Sequence, residues 1–428
     1  MSNSNYLVAF DVSDQFVRAA VGRAVDDQVE ILAVEQRAHR LSNCVQSGQV
    51  KQISDLAYTL VACTRLLENR LNGEKLSSAF VSIGGAGMRT IRSTGRRESA
   101  GILIVSERML KEILEETVRI VKKKHEEAGQ PICVIEHYEH RYWIDGVEKK
   151  DIRSLKGKVV EVEYVFVIAP TLRSQEGNVI LEKNYITNIE RAFSQSGLSI
   201  EKIFLKSDAL STALLESQER EEGCALIDFG CGSTGLCIHK GGQVQFTGYV
   251  PIGGKHITED ISSLGISFAN AEKLKRRYGQ ALESAIQKPY IVNVPSTLED
   301  TPICKVNTRL LNRIIEARQR QALYAIVKQI KQNDVKHLVI TGEGSRLRDL
   351  DTLLQEMTDL SPRLGSHDVW VTQGVEDIPA YSLLVGTLIL GMSYRRDNPH
   401  AKPDTPLIPR NLKEKAKKVG GFISGLFD

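Results

Sequence analysis

The sequence predicts a duplicated α/β fold, with two related domains and a small α+β subdomain inserted into the first. Three observations carry that prediction. "NYLVAFDV" rises to Asp11, turns, and returns as "VRAAVGRA". About half a chain later "GCALIDFG" rises to Asp228, turns on glycines, and returns through "GLCIH". Apolar and β-branched runs bounded by Gly and Asp are the pattern of a hairpin, and a spacing this wide marks a repeat of whole domains and not of a solenoid unit. Between the hairpins, one helical pattern is flanked by strand patterns. The length of 428 residues also exceeds what one core fills.

Each element follows from local pattern. In "GILIVSERMLKEILEETVRIVKKKHEE", Ser106 is the predicted N-cap and Leu110, Ile113, Leu114, Val118 and Val121 keep the helical period. "CVIEHYEHRYWIDG" and "KVVEVEYVFVIAP" alternate as strands. "NYITNIERAFSQSGLSI" reads as a helix stopped at Gly197. "ITEDISSLGISFANAEKLKRRYG" reads as paired helices, and "KHLVITGEGSRLRDLDTLLQEM" as strand, glycine turn and helix. "YSLLVGTLILGM" is too short to cross a bilayer and reads as a buried helix. "RRDNPHAKPDTPLIPR" holds four of the twelve prolines and reads as an extended linker. The predicted boundaries are 1–84 for the first part of the first domain, 85–165 for the insertion and 166–198 for the first domain's continuation. The second domain takes 199–365, with an outer part at about 253–311; 366–394 returns to the first domain, 395–410 is the linker and 411–428 a terminal helix.

On a helical wheel the terminal segment places Leu412, Ala416, Val419, Ile423 and Leu426 on one face, with Phe422 and Phe427 at its edges. Lys413, Glu414, Lys417 and Lys418 face away. Such a stripe either docks on its own protein or lies in an anionic lipid interface. The stiff leash before it favours the membrane.

Composition narrows the classes. Hydrophobic content of 42% and charged content of 25% are ordinary for a globular protein, and a net charge of +3 does not imply nucleic acid. The start "MSNSNYLVAFDVSD" lacks a signal-peptide pattern, so secretion is not expected. Seven cysteines without a C-x-x-C pair suit a reducing compartment, and Cys224, Cys231 and Cys237 read as small buried residues of a strand pair. His137 and His140, three apart on an alternating strand, fall on opposite faces and do not share a metal.

The chemistry concentrates in the turns. "DFGCGSTG" puts Gly230, Cys231, Gly232, Ser233 and Thr234 after a strand, where glycines expose backbone N–H donors to phosphate and two hydroxyls add more. Ser13 lies in the matching first turn. Asp11 and Asp228 face a site suited to hydrated Mg²⁺, which takes few carboxylates. "TGEGS", with Gly342, Glu343, Gly344 and Ser345, suits the nucleoside end. Glu272 and Lys275 lie on a charged helix, where exposed salt-bridging is the ordinary role.

The order of these turns resembles the actin/sugar-kinase/heat-shock-chaperone ATPase superfamily, whose two ribonuclease H-like domains close over ATP. "SQSGLSI" and "LLVGTLILG" look like its connecting helices. Within it the chain resembles FtsA, the bacterial cell-division branch, over nearly its whole length. "VSIGGAGMRTIRSTG" resembles the start of the FtsA insertion, and "EHYEHRYWIDG" with "LKGKVVEVEYVFVIA" its end. "YVPIGGKHITEDIS" and "ANAEKLKRRYG" resemble the segment that contacts ribose and adenine, and the tail resembles the membrane-targeting helix. The resemblance implies an actin-like fold, ATP as ligand and Mg²⁺ on Asp11 and Asp228. It implies phosphate contacts from Gly230 to Thr234 and a nucleoside wall of Gly253, Gly254, Glu272, Lys275 and Gly342 to Ser345. It further implies filaments, capture of the FtsZ C-terminal peptide by the outer part of the second domain, and contacts with later divisome proteins through the insertion. The implied location is the cytoplasmic face of the inner membrane at the division site. Departures exist: "DVSDQFVR" lacks the glycine and the hydroxyl-lysine pair of the family's first loop, Gly235 stands where relatives have a second aspartate, and Glu343 where a glycine is common. They point to a nucleotide-binding scaffold with at most weak ATPase and no assigned catalytic residue. A PilM-type pilus adaptor and a sugar-kinase-like phosphotransferase are the alternative readings.

Overall fold

The computed structural model describes residues 6–399 apart from 27, 177–178, 184, 299, 301, 367–369 and 372–377. The terminal helix expected at 411–428, and the linker beyond 399, lie outside the described residues.

Two sheets repeat one strand plan. The first runs Ser199–Leu205, Ser78–Ile83, Tyr6–Val12, Phe16–Val25, Gln28–Ala38, with Trp370–Val371 at its edge. The second begins Pro362–Leu364, His337–Thr341, Cys224–Phe229, Thr234–Lys240, Gln243–Val250. In both, two parallel pairings are followed by two antiparallel ones. The two aspartate hairpins take the same place in each, so the duplicated fold expected from the sequence is the fold observed.

The strands are apolar on both faces because both faces are covered. In Tyr6–Val12, Val8 and Phe10 face the helices Ile53–Arg70 and Tyr185–Ser196, and the Phe10 and Phe193 rings meet edge-on at 5.4 Å. Leu7 and Ala9, one residue out of phase, face Leu384, Val385 and Leu388 of the helix Ser382–Asp397. In the second lobe Ala225 and Ile227 pack on the long helix Thr308–Gln332, and Leu226 on Leu210 and Leu214 of the helix Lys206–Leu214.

Two expectations are corrected here. The partner of the Ser382–Asp397 helix is Lys206–Leu214 and not the "SQSGLSI" segment. A Cβ on Gly386 would stand 1.8 Å from the Ala209 carbonyl oxygen, so the two backbones touch where the lobes join. Gly197, by contrast, has φ +83° and nothing within 4 Å of its Cβ position, so it serves as a helix stop. The linker also starts later than Arg395. The helix continues to Asp397, and Arg395 is held by Glu201 at 2.6 Å and by the Tyr6 carbonyl at 2.9 Å.

The insertion comprises strands Arg89–Ile104, Ile132–Ile144 and Lys156–Pro170 and the helix Glu107–Glu127, whose Leu110, Ile113 and Val121 pack on the sheet. The Ser106 hydroxyl accepts from the Met109 N–H, the expected N-cap. Through Arg89 opposite Gly248, this sheet extends that of the second lobe. A register shift leaves His140 between paired neighbours, bonded to Gln245 at 2.7 Å, while His137 is exposed beside Glu136; the two histidines do not converge. Beyond the second hairpin, helices Gly254–Ser262 and Phe268–Tyr278 and the ribbon Ile291–Pro295/Ile303–Asn307 form an outer layer with its own apolar cluster.

A buried polar contact ties the insertion to the lobe junction. The Tyr138 hydroxyl donates to Asp208 at 2.7 Å. Burial raises the Asp208 carboxyl to about 7, with Glu136 adding to the rise and the Tyr138 bond and Arg220 opposing it. Because the folded state keeps this proton to a higher pH than the unfolded chain does, the group's contribution is most favourable below about pH 4 and is lost as pH rises to about 7. Asp208→Asn removes the titration. Its stability advantage over the native chain therefore widens by about 2–3 kcal/mol between about pH 5 and about pH 8, checked by denaturant unfolding at the two values. A constant difference would contradict this.

Candidate functional site

The two hairpin turns face each other across a cleft of about 800 Å³ between the lobes. Every residue that the sequence pointed to for nucleotide or metal lines it, Asp11 and Ser13 from the first lobe and the rest from the second. Their individual roles differ from the expectation in instructive ways.

In the second turn the Gly230 N–H is engaged by the Ser233 carbonyl. Among the described residues no hydrogen bond engages the N–H groups of Cys231, Gly232 and Ser233, which leaves three donors in a turn that lines the cleft. The Thr234 hydroxyl donates instead to the Ile252 carbonyl at 2.8 Å and holds the hairpin to the next segment, so the phosphate role expected for it is corrected to a structural one. The Cys231 thiol, pushed up to about 12 by burial, stays protonated and is part of the turn and not of a strand. Behind the turn, the Gly254 and Lys255 N–H groups donate to the Gly230 and Cys231 carbonyls at 3.0 and 2.9 Å. A Cβ on Gly253 would stand 2.4 Å from the Cys231 oxygen, which is why a glycine begins this helix.

In the first turn the Ser13 hydroxyl is bound to its own hairpin through the Phe16 carbonyl at 2.9 Å. Asp14 enters the cleft: its carboxylate accepts from the Ser47 and Gly48 N–H groups at 2.8 and 3.0 Å and crowds Gly232. His39 Nε2 donates to the Ser13 carbonyl at 2.8 Å. His39, Cys44 and Asp55 come within 4.8 Å of one another, but burial and Asp55 push the Cys44 thiol up to about 12, the protonated form and not a thiolate ligand.

On the opposite wall Glu272 and Lys275 pair at 2.6 Å, and Lys275 donates to the Gly254 carbonyl and Thr258 at 2.8 and 2.7 Å. This is the ordinary salt bridge the sequence suggested, set inside the cleft wall. Paired charges hold Glu272 below the usual carboxylate range despite burial. The "TGEGS" turn is closed by Ser345, whose hydroxyl donates to the Gly342 carbonyl at 2.7 Å. Gly342, at φ +85°, lies against Asp228 and Phe229.

Two cations missed by sequence reasoning complete the site. Arg18, on the returning strand of the first hairpin, bonds Gln36 at 2.6 Å and pairs with Glu343 across the cleft; Glu343 also faces Arg276 at 3.7 Å. Lys206, the first residue of its helix, pairs with Asp11 at 2.6 Å, Asp11 being buried and Lys206 part-buried. Asp228 is raised by burial and by Asp11, and lowered chiefly by Lys206. Magnesium therefore does not fit these residues as the sequence assigned it. The ammonium already sits on Asp11 Oδ1, and a second cation on the same carboxylate would be repelled by it.

Two lobes of one strand plan, with aspartate hairpins facing across a cleft, make this an actin-like two-domain fold. Solved structures agree: the PilM-PilN type IV pilus biogenesis complex aligns with a TM-score of 0.61 at 15% identity over 90% of this chain and 98% of that one. MreB5 of Spiroplasma citri bound to ADP aligns at 0.50 and 12% identity over 93% and 100%. The chain is similar to the FtsA family of cell division proteins. The family profile "Cell division protein FtsA" matches residues 225–386. FtsA of Bacillus subtilis is 25% identical over 91% of this chain and 84% of its own length, and FtsA of Pseudomonas aeruginosa 25% over 93% and 92%.

Proposed function

We propose that the chain binds ATP in the interlobe cleft, assembles into actin-like filaments and holds the FtsZ C-terminal peptide at the cytoplasmic face of the bacterial inner membrane. One observation carries the nucleotide part: the second turn, with three N–H donors left open, lines one cleft with Lys206 and Arg18. Donors and cations converging from two lobes are what a polyphosphate needs. The nucleoside end falls between the Glu272–Lys275 pair and the Gly342–Ser345 turn.

The likeness to FtsA and the sequence pattern support the rest. The stripe of Leu412, Val419, Ile423, Leu426 and the flanking phenylalanines follows a proline-rich leash, and lysines line its other face. Among the described residues no helix is long and apolar enough to cross a membrane. The outer layer of the second lobe, with Arg276 and Arg277 at one helix end, is the proposed seat of the FtsZ peptide. The insertion exposes Ile102 and Ile104 on one strand and Val147 on an edge strand, an apolar surface for later divisome membrane proteins.

Co-sedimentation with anionic liposomes tests the tether. The full chain is expected to pellet with lipid and a chain stopped before Asn411 to stay in the supernatant. If both stay in the supernatant the tether reading fails, and a soluble adaptor of the PilM kind takes its place.

A further inference from the structure

The centre of the cleft carries a feature that the nucleotide reading does not need. Two carboxylates, Asp11 and Asp228, lie on equivalent strands of the duplicated lobes, where a divalent cation would bridge them to phosphate. Lys206 stands there instead, its Nζ 2.6 Å from Asp11 Oδ1 and its side chain 13% exposed. We propose that Lys206 is the resident cation of this cleft and takes the place of Mg²⁺, so that ADP and ATP bind as the metal-free polyanions.

Three observations converge on this. The first turn, "DVSDQFVR", has no lysine of its own, and Arg18 is directed at Gln36 and Glu343. The positive charge nearest Asp11 thus comes from the other end of the lobe junction, 195 residues along the chain. The position of Lys206 is also rigid. Its helix is clamped at Ala209 against Gly386, which fixes the backbone from which Lys206 reaches Asp11. Finally, an ammonium has three donors, and the bond to Asp11 uses one, leaving two for phosphate oxygens. Mg²⁺ demands octahedral oxygens at about 2.0–2.1 Å and retains its waters, which a charged lysine on the same carboxylate opposes.

This inference rests on the nucleotide reading, and calorimetry of the full chain with ADP and with ATP, in Mg²⁺ and in EDTA, separates the two. The native chain is expected to bind both with dissociation constants that differ by less than about threefold between buffers. Lys206→Ala is expected to lose about 10- to 100-fold affinity in EDTA, the range of one charge-assisted hydrogen bond, and to regain part of it with Mg²⁺. Lys206→Arg keeps the charge and should keep metal independence; it serves if the alanine variant, with Asp11 left unpaired, does not fold. A native chain whose affinity falls more than about tenfold in EDTA overturns the inference while the nucleotide reading stands. A folded native chain that binds nucleotide in neither buffer overturns both.

Discussion

Gly386→Ala lowers the unfolding free energy by about 3 kcal/mol. The added methyl would lie 1.8 Å from the Ala209 oxygen and 2.5 Å from its carbonyl carbon, both backbone atoms that cannot turn aside. The helices Ser382–Asp397 and Lys206–Leu214 must then separate. The first carries Leu384, Val385 and Leu388 against the first sheet, and the second carries Leu210 and Leu214 against the other. Separation thus reaches both cores and displaces Lys206, so nucleotide affinity falls with stability. Urea unfolding checks the first effect, and a midpoint equal to that of the native chain would show that the lobes do not meet at Gly386.

Gly253→Ala and Gly254→Ala, one residue apart, part company. At Gly253 a Cβ meets the Cys231 and Gly230 oxygens at 2.4 and 2.6 Å, the carbonyls that the next two N–H groups hold. The methyl pushes the helix Gly254–Ser262 off the phosphate turn. Nucleotide affinity is expected to fall about 100-fold, since several donors lose their alignment together. At Gly254 the nearest atoms are Lys275 Nζ at 3.6 Å and the Gly230 oxygen at 3.8 Å, so a methyl fits. Alanine also suits a helix better than glycine, and affinity there should change by less than about threefold. Equal losses at the two positions would mean that the turn is not held by this helix start.

The local half of this architecture is legible in the sequence. Hairpins announce themselves by alternation and by the Asp and Gly at their turns, and Ser106 announces a helix start, because both are properties of neighbouring residues. The repeat of Asp11 at Asp228 then fixes two equivalent lobes. What the chain does not announce is pairing between distant residues. Arg18 and Glu343 lie 325 residues apart, Lys206 and Asp11 195, and no local pattern distinguishes these side chains from solvated ones. Small-residue stripes are likewise ambiguous: Gly197 and Gly386 look alike in sequence, yet one ends a helix and the other seats a helix crossing. Thr234 shows the same limit at one atom, since its hydroxyl was legible as a donor but not its direction toward Ile252. Arg395 reads as the start of the proline-rich linker because its anchor, Glu201, lies in a distant strand.

The central claim is that the interlobe cleft is a nucleotide site. The measurement that bears on it most directly is an experimental structure of the full chain with a non-hydrolysable ATP analogue. The account predicts phosphates against the Cys231–Ser233 turn and Lys206, the nucleoside between Lys275 and the Gly342–Ser345 turn, and Arg18 parted from Glu343. Analogue bound elsewhere, or a cleft still closed by Arg18 and Glu343 at saturating analogue, would contradict it.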